Sequence, residues 1–394
     1  MSLPASAVVL GLARSGRAAV AALERRGIPV VGADRELGSD TDLDLLADAE
    51  VLVKSPGVPG DVALVREARR RGIRVWSELE LGARILANPL LAVTGTNGKT
   101  TTSELLGVML GAPVAGNVGR ALCELDGVVD PQEWIVVEVS SFQLEDVDTF
   151  RPRVGVLVNL EPDHLDRHGT FEAYAAAKLR LFANQEPGDV AVVPRGFGDV
   201  PGKGRRTEFD AQNPLPAEPR LPGAHNRENA AAATVAARAA GATDDEIATA
   251  LREFPGVPHR LELVAERDGV RFVNDSKATN VTAALKALDA YAEPLLLILG
   301  GRGKGEGFAP LAHAARGKVR RAFLIGEAAP ELASVFGDVP HEVAGDLATA
   351  VAHAAAAARS GDVVLLSPAC ASYDQFRDFE QRGDEFRRLV NELA

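Results

Sequence analysis

Short apolar runs that end in glycine turns alternate with helix-forming stretches along the whole chain. The clearest case is PLLAVTGTNGKTT, residues 89–101, where an apolar run passes through a glycine-rich turn into a helical stretch. Strands that alternate with helices pair in parallel, because each helix returns the chain to the same end of the sheet. The sequence therefore predicts an α/β fold with parallel sheets, in which ligands collect at the carboxyl ends of the strands.

Three such α/β blocks follow one another. The chain has 394 residues, more than the roughly 250–300 at which a single core stops growing. We predict a Rossmann-like N-terminal domain over 1–77, a central P-loop ATPase-like domain with a parallel sheet over 78–256, and a Rossmann-like C-terminal domain over 257–394. Within the central block, residues 196–223 are rich in Pro and Gly and are interpreted as loops.

Charge and composition limit the kinds of partner. A net charge of −12 argues against broad binding to nucleic acid or to anionic membranes. No apolar run approaches the roughly 18 residues that a membrane helix needs, and the first residues lack the basic region of a signal peptide. Two cysteines cannot form a disulfide framework. We expect a cytoplasmic protein that binds neither nucleic acid nor membrane.

The turn VTGTNGKTT has the residues of a phosphate-binding loop. Backbone N–H groups and the start of the following helix can hold phosphates, the lysine can reach their outer oxygens, and a hydroxyl can bind Mg²⁺. The spacing departs from the usual P-loop, because Val93 stands where a glycine is expected. The alternative is a glycine turn with a chance lysine. The pattern favours ATP, and the predicted contacts are Gly95, Thr96, Asn97, Gly98, Lys99, Thr100 and Thr101.

The first block opens with a weaker nucleotide signal, AVVLGLARSG. Gly11 and Gly16 have the outer spacing of a dinucleotide fingerprint, but Ala13 replaces the middle glycine. Asp34 follows the second strand, where an acidic residue commonly contacts a ribose. The pattern is compatible with a nucleoside diphosphate and disfavours a nicotinamide cofactor. A tight turn without a ligand is the alternative.

Two polar segments, EVSSFQLE and NLEPDHLDRHG, follow strands of the central block. Glu138 could supply an oxygen and His164 a nitrogen to Mg²⁺ or Mn²⁺, although His is an uncommon Mg²⁺ ligand. Each residue alone is more often structural. Because both segments lie near the predicted phosphate-binding turn, we interpret them as metal-binding.

Lysine is rare in this chain, since only 8 of its 43 basic side chains are Lys. One of the eight, Lys178, lies in the helical run FEAYAAAKLRLF. An exposed cation at this place could equally be Arg, which has a similar helix propensity and a more permanent charge. The alternative interpretation of Lys178, an exposed helix cation, therefore does not require a lysine.

Eight segments in this order resemble the Mur ligase family: TGTNGKTT, EVSSFQLE, NLEPDHLDRHG, AAAKLRLF, LPGAHNRENAAAA, GVPHRLE, NDSKATN and LSPACASYDQFRDFEQRGDEF. They span nearly the whole chain. NDSKATN and SPACASYDQF are most similar to the members that add D-glutamate to UDP-N-acetylmuramoyl-L-alanine. The resemblance implies an ATP-dependent ligase of peptidoglycan precursor synthesis that works through an acyl phosphate and a tetrahedral intermediate.

The resemblance also implies roles for particular residues. Lys178 matches a family lysine that reacts with carbon dioxide to give a carbamate, and a monomer with two Mg²⁺ sites is expected. The implied catalytic residues are Lys99, Lys178, His164 and Glu138, and the implied metal ligands are Thr100, Glu138, His164 and the Lys178 carbamate. Further ATP contacts are Asn226, Asn229, Arg260 and Asp275. The UDP-substrate contacts are Ser15, Gly16, Asp34, Arg35, Ser55, Asn117, Ser140 and Gln143, and the D-glutamate contacts are Lys304, Thr279, Ser372 and Phe379.

Other interpretations stay open. A related ligase would add another amino acid to a longer peptide, or glutamate to a folate. A P-loop binding protein would leave NDSKATN and Lys304 without a role, and a Rossmann oxidoreductase would need the glycine that Ala13 replaces. Arg14 and Tyr373 depart from the residues that are usual in the family's substrate pockets. Cys370 could be a nucleophile, but a small buried residue after a strand is the better reading.

Overall fold

Three β-sheets, each flanked by helices, make up the computed structural model, which describes residues 3–305 and 307–393. The predicted α/β class is confirmed. By contact density the chain divides into two compact units. One comprises residues up to 219 together with 225–254 and contains the first two sheets, and the other comprises 220–224 and 255 onward and contains the third.

The first sheet has four parallel strands in the order β2-β1-β3-β4. Strands β1 and β3 are buried along their whole length. The elements are β1 (Ala7–Leu10), α1 (Arg14–Arg25), β2 (Val30–Ala33), β3 (Val51–Lys54), α2 (Ala63–Arg70) and β4 (Arg74–Ser77).

The second sheet has six parallel strands in the order β10-β9-β8-β5-β7-β6. Strand β5 pairs with β8 on one side and with β7 on the other, and it is completely buried. Its elements are α3 (Glu78–Ile85), β5 (Leu90–Thr94), α4 (Lys99–Leu110), β6 (Val114–Gly116), β7 (Ile135–Glu138), α5 (Ser141–Leu144), β8 (Val154–Leu157), α6 (Leu165–His168), α7 (Phe171–Leu179), β9 (Val190–Pro194), β10 (Arg205–Phe209), α8 (Ala224–Ala239) and α9 (Asp244–Glu253).

Strand β10 lies within the segment that we interpreted as loops, and that interpretation was incomplete. The strand reads RRTEF, pairs only with β9 among the described strands, and forms the edge of the sheet. Charged residues are common on edge strands because one side of the strand faces no neighbour. The strand was therefore not predicted, because its residues are mostly polar.

The third sheet also has six strands, in the order β11-β12-β16-β13-β14-β15. One pair departs from the parallel pattern: the first two strands run antiparallel and are joined by Asp268 and Gly269, both with positive φ. The elements are β11 (Glu262–Arg267), β12 (Val270–Asn274), α10 (Val281–Asp289), β13 (Leu295–Gly300), α11 (Ala309–Ala315), β14 (Val319–Ile325), α12 (Ala329–Phe336), β15 (His341–Gly345), α13 (Leu347–Ala357), β16 (Val363–Leu366) and α14 (Phe379–Glu392).

No helix within the described residues is both long enough and apolar enough to cross a membrane.

A buried carboxyl group lies at the start of α3, between the first two sheets. Glu78 is 1% exposed, and its Oε1 accepts a hydrogen bond of 2.7 Å from the backbone N of Cys123. Its Oε2 is buried without a hydrogen-bond partner among the described residues. Burial raises the pKa of Glu78, because the charged form loses its hydration.

This raised pKa predicts how stability depends on pH. The folded state favours the neutral acid, so the parent loses stability as pH rises through the folded pKa, whereas Glu78→Gln does not titrate. The stability advantage of Glu78→Gln over the parent should therefore be larger at pH 8.5 than at pH 4.0, by up to about 1.4 kcal/mol for each unit by which the pKa is raised above its ordinary value. Urea unfolding at both pH values measures it, with exposed Glu24→Gln as the control. An equal difference at both pH values would contradict the prediction.

Candidate active site

The turn after β5 is shaped by two glycines with positive φ. Gly95 has φ 157° and Gly98 has φ 79°, and α4 begins at the next residue. A Cβ on Gly98 would lie 2.2 Å from Oδ1 of Asn229. Gly98 is therefore required both by its left-handed backbone and by the close approach of α8. The turn leads directly from the end of β5 into the start of α4, which is the arrangement of a phosphate-binding loop.

Two lysine side chains meet at this turn. Nζ of Lys99 donates to the carbonyl oxygens of Gly95 (2.8 Å) and Thr96 (2.9 Å). Nζ of Lys178, from α7, donates to the same Gly95 oxygen at 2.7 Å. The structure thus brings together two of the four predicted catalytic residues, although about 80 positions separate them in the sequence.

Lys178 is not the exposed helix cation of the alternative reading. It is 2% exposed. Burial and, secondly, the positive charge of Lys99 lower its pKa to about 7, although the charges of Asp163 and Glu138 act to raise it. At neutral pH, Lys178 is therefore a neutral amine in a large fraction of the protein molecules.

Glu138 ends β7 and is 2% exposed. Its Oε1 accepts from Nδ2 of Asn117 at 2.8 Å, so a predicted substrate contact and a predicted metal ligand lie together. Its Oε2 is buried without a hydrogen-bond partner among the described residues. A buried carboxylate oxygen of this kind fits Mg²⁺, which prefers oxygen ligands. Thr100 and Thr101, in the first turn of α4, are buried as well.

No group of three or more His, Cys, Asp and Glu side chains suited to a metal ion occurs within residues 3–305 and 307–393. The predicted ligand set does not require one, because it combines a hydroxyl and a modified lysine with Glu138 and His164. His164 begins the short helix α6 with φ 51°, and its side chain is 49% exposed. Its ring lies edge-on to Phe142, with centroids 4.9 Å apart.

Three residues that sequence analysis did not single out support the turn. Oδ1 of Asn159 accepts from the backbone N of Asn97 at 2.8 Å, and the hydroxyl groups of Tyr174 and Thr96 lie 3.1 Å apart. Oε2 of Glu161 accepts from the Asn97 side chain at 3.1 Å. Asn159 and Glu161 directly follow β8, so their position at the carboxyl end of the sheet was a usable signal.

The predicted adenine-side residues, Asn226 and Asn229, lie on α8 and are 7% and 4% exposed. Nδ2 of Asn229 is 3.5 Å from Oδ1 of Asn226. Through the close approach of Asn229 to Gly98, the first turns of α8 are adjacent to the phosphate-binding turn. The buried face of this helix is mostly alanine, which permits the close packing.

A cavity of about 700 Å³ lies at the carboxyl end of the first sheet. Its lining includes Ser15, Asp34, Arg35 and Ser55, which are four of the predicted UDP-substrate contacts, and also Asp40, which was not predicted. Its wall includes every residue of the segment 55–59, as well as Leu10, Gly11, Ala13, Arg14 and Val62.

Gly16 does not line the cavity. A Cβ there would lie 1.8 Å from the carbonyl oxygen of Gly11, so Gly16 is needed for the packing of α1 against the turn. Asp34 also has a structural role, since its Oδ1 accepts from the backbone N of Glu36 at 2.9 Å and its Oδ2 from that of Leu12. The Leu12 bond is the main reason why the pKa of Asp34 is lowered. Ser55 Oγ donates to Gly11 at 2.7 Å.

The predicted substrate contacts Ser140 and Gln143 form a capping box on α5. Ser140 Oγ accepts from the backbone N of Gln143 at 3.3 Å, and Gln143 Oε1 accepts from the backbone N of Ser140 at 3.0 Å. These bonds satisfy backbone groups at the start of the helix. Their roles toward a substrate remain predictions.

Asp275 follows β12 in the second unit and is 5% exposed. Its Oδ2 accepts from Oγ of Ser367 at 2.8 Å, and its Oδ1 from the backbone N of Leu261 at 3.2 Å. Burial raises the pKa of Asp275 to about 7, whereas the Ser367 bond and the charge of Arg260 act to lower it. The predicted pair Arg260 and Asp275 is thus electrostatically coupled.

The predicted D-glutamate contacts lie on neighbouring loops. Nζ of Lys304 donates to Oγ1 of Thr279 at 3.2 Å. Ser372 is 2% exposed and follows Ala371, whose backbone exchanges hydrogen bonds of 2.9 and 3.0 Å with Arg302. Phe379, the first residue of α14, has its ring centroid 6.0 Å from Nζ of Lys277.

A buried arginine, which sequence analysis missed, joins these loops. Arg382 is 1% exposed, and it donates to the Ser276 oxygens Oγ (2.9 Å) and O (2.8 Å) and to the carbonyl oxygen of Cys370 (3.2 Å). Burial lowers its pKa to about 10. Cys370 is itself buried, and burial raises the pKa of its thiol to about 12. A nucleophilic role for Cys370 is therefore disfavoured, because the thiolate is the reactive form.

The close approach of Gly98 and Asn229 generates a prediction. Gly98→Ala should be less stable than Gly111→Ala, although both glycines have positive φ, because no atom of the residues that the structure describes lies within 4 Å of a Cβ at Gly111. The backbone conformation alone costs about 1–2 kcal/mol, and the Asn229 clash adds to that cost only in Gly98→Ala. Urea unfolding of both variants measures the difference. Equal losses of stability would contradict the prediction, because they would mean that the Asn229 side chain moves away from the new Cβ at no cost in free energy.

Known proteins resemble the chain in both sequence and fold. Residues 93–198 match the Mur ligase middle domain, and residues 259–370 match the Mur ligase glutamate ligase domain. UDP-N-acetylmuramoylalanine–D-glutamate ligase of Anaeromyxobacter dehalogenans is 43% identical over 98% of this chain and 97% of its own. The protein of the same name from Pelotomaculum thermopropionicum is 42% identical over 98% and 97%.

Solved structures share the fold at lower identity. The ADP complex of MurF ligase from Thermotoga maritima has a TM-score of 0.63 and 17% identity, and covers 91% of this chain and 93% of its own. UDP-N-acetylmuramate-alanine ligase MurC from the same organism has a TM-score of 0.59 and 17% identity, and covers 98% and 99%. Because two relatives are more than 40% identical over almost their whole length, the chain belongs to the Mur ligase family.

Proposed function

We propose that the protein is an ATP-dependent ligase that joins D-glutamate to UDP-N-acetylmuramoyl-L-alanine and releases ADP and phosphate. The observation that carries the proposal is the convergence of Lys99 and Lys178 at Gly95, beside the buried Glu138. The names of the relatives support the choice of amino acid and nucleotide sugar. The reaction belongs to the cytoplasmic synthesis of peptidoglycan precursors, and a monomer is sufficient for it.

The reaction needs activation of a carboxylate. The alanyl carboxylate of the UDP-substrate is not electrophilic, so its oxygen first takes the γ-phosphoryl group of ATP and becomes an acyl phosphate. The amine of D-glutamate then attacks the acyl carbon, and phosphate leaves as the amide forms. The turn at 95–98 and Lys99 hold the ATP phosphates and offset their charge during transfer.

Magnesium would be held by oxygens at the carboxyl end of the second sheet. Glu138 Oε2 and the Thr100 hydroxyl fit it, with His164 as a further ligand. The ion offsets phosphate charge when it is bound. The chain's own contribution is to fix these ligands on β7, α4 and the turn before α6.

Lys178 carries the proposal further, because its neutral amine can attack carbon dioxide. The nitrogen lone pair forms a bond to carbon, one C=O π bond becomes a C–O⁻, and the nitrogen loses a proton, which gives a carbamate. The pKa of about 7 provides the neutral amine. The product is an anion that offers oxygen to a second Mg²⁺ or Mn²⁺ and replaces the repulsion between Lys178 and Lys99 with attraction.

The remaining contacts are assigned by region. We assign the UDP-substrate to residues 1–77 and the cavity of the first sheet, ATP to 78–256 with Arg260 and Asp275, and D-glutamate to 257–394. Lys304 and Thr279 present a cation and a hydroxyl to its two carboxylates, with Ser372 and Phe379 on the adjoining loops. Asn117, Ser140 and Gln143 are assigned to the sugar and alanyl part.

The proposed function has a direct test. Purified protein with ATP, Mg²⁺ and UDP-N-acetylmuramoyl-L-alanine should release phosphate when D-glutamate is added, and much more slowly with any other single amino acid. Phosphate release that depends equally on another amino acid would assign the protein to a different ligation. No release with any amino acid would refute the ligase function.

A second prediction concerns the modified lysine. Lys178→Arg keeps a positive charge but cannot form a carbamate, so it should lose nearly all ligation. Lys178→Ala should be inactive and partly restored by formate or acetate, which supply the missing carboxylate oxygens. Lys203→Arg, at an exposed lysine outside the site, is the matched control. Full activity of Lys178→Arg would disprove the carbamate.

A further inference from the structure

Two cationic side chains, Lys54 and Arg167, hold the wall of the first-sheet cavity through hydrogen bonds to its backbone. The segment 55–59 lines the cavity. The carbonyl oxygen of Val58 accepts from Nζ of Lys54 at 3.1 Å and from Nη2 of Arg167 at 3.2 Å. Nη1 of Arg167 also donates to the carbonyl oxygen of Pro56 at 2.8 Å. One guanidinium group therefore fixes two of the five wall residues through their backbone.

Lys54 and Arg167 differ in their burial and in the contacts that hold them in place. Lys54 is 1% exposed and pairs at 3.0 Å with Asp146, which is also buried, so it is a fixed support. Arg167 is 19% exposed in its side chain and belongs to α6, the single helical turn that His164 begins. The backbone N of Arg167 donates to the carbonyl oxygen of His164 at 3.1 Å.

A chain of direct contacts leads from the cavity wall to His164. The Arg167 guanidinium lies over the Phe142 ring, 4.1 Å from its centroid, and Nη2 is 3.4 Å from Oε2 of Glu145. The ring of His164 packs against the same Phe142 ring. A non-glycine residue at φ 51° persists only where its surroundings hold it. Arg167 and Phe142 are part of those surroundings.

We propose that Arg167 is a positioning residue that couples the occupancy of the first-sheet cavity to the turn carrying His164. This inference rests on the proposed function, which places a nucleoside diphosphate sugar in the cavity and ATP–Mg²⁺ at the turn after β5. A ligand against the wall fixes the carbonyl oxygens of Pro56 and Val58, and these fix the plane of the guanidinium. The guanidinium in turn holds Phe142 and α6, so His164 is held in place for the ATP–Mg²⁺ site.

The coupling predicts that the two ligands bind cooperatively. By linkage, each ligand strengthens the other by the same factor, for which about tenfold is typical. The planar guanidinium donates to two carbonyl oxygens while it lies on a ring, and neither Lys nor Met can do both. Arg167→Met should therefore bring the factor close to one, and Arg167→Lys should leave an intermediate value.

Isothermal titration calorimetry tests the inference. The Kd of the magnesium complex of a non-hydrolysable ATP analogue is measured with and without saturating UDP-N-acetylmuramoyl-L-alanine, and the reverse titration checks reciprocity. The proteins are the parent, Arg167→Met, Arg167→Lys and Arg69→Met. Arg69 is the matched control, because its Nη1 donates to the carbonyl oxygen of Gly60 at 2.9 Å, beside the same wall, but it lies on α2 rather than α6. Its Nη2 also pairs with Asp146 at 3.1 Å, and in Arg69→Met that carboxylate keeps Lys54 as its partner.

Loss of coupling in Arg167→Met with retention in Arg69→Met would support the inference. Absence of coupling in the parent, its persistence in Arg167→Met, or an equal loss in Arg69→Met would overturn it. If thermal melts show that Arg167→Met does not fold, Arg167→Lys decides: a coupling factor below that of the parent would support the inference, and a factor equal to that of the parent would overturn it. A parent that binds the ATP analogue but not the UDP-substrate would refute the proposed function as well, so the two failures are distinguishable.

Discussion

The carbonyl oxygen of Gly95 accepts hydrogen bonds from two ammonium groups, and the rest of the central site is arranged around this contact. Lys178 is buried and loses its hydration, and the positive charge of Lys99 at the same acceptor repels it as well. The pKa of Lys178 falls to about 7 in consequence. Phosphate groups, a carboxylate substrate or a carbamate would each add negative charge here to that of Glu138 and Asp163. The backbone of the turn thus brings two lysine side chains together, and these favour an anionic ligand at this place.

The first two sheets are joined by polar contacts around the buried side chain of Asp146. The side chain of Asp146 pairs with Lys54 at 3.0 Å and with Arg69 at 3.1 Å, and its carbonyl oxygen accepts from the backbone N of Ser77 at 2.7 Å. A buried ion pair adds little net stability, but removal of one partner leaves an uncompensated charge. Its contribution here is geometric, since it fixes the strand end that precedes the wall segment 55–59.

The sequence was most informative where chemistry follows directly after a strand. The turn at 95–98 and the lining residues Asp34 and Ser55 each follow a strand, and Glu138 ends one, so their location at carboxyl ends of strands could be predicted from the parallel fold. Lys178 was recognised because lysine is rare in this chain and because of the family resemblance. The structure adds the reason for its identity, namely burial beside another cation.

What could not be predicted depends on contacts between distant segments or on weak local signals. The strands β10 and β11 have polar faces at sheet edges, and the Asp268–Gly269 hairpin signal was present but was not used. Arg382 is buried only because Ser276 and Cys370, which are far apart in sequence, supply its acceptors. The capping role of Gln143 and the packing role of Gly16 likewise appear only when their neighbours are in place.

The burial of both cysteines has a practical consequence. Burial raises the pKa of Cys370 to about 12, and it raises that of Cys123 well above its usual value. The thiolate is the form that attacks a maleimide, and it is scarce at either position at neutral pH. Cysteines introduced on the surface could therefore be coupled to fluorophores in the native chain, without prior removal of the natural thiols. Movements during the catalytic cycle could then be followed by energy transfer in single molecules.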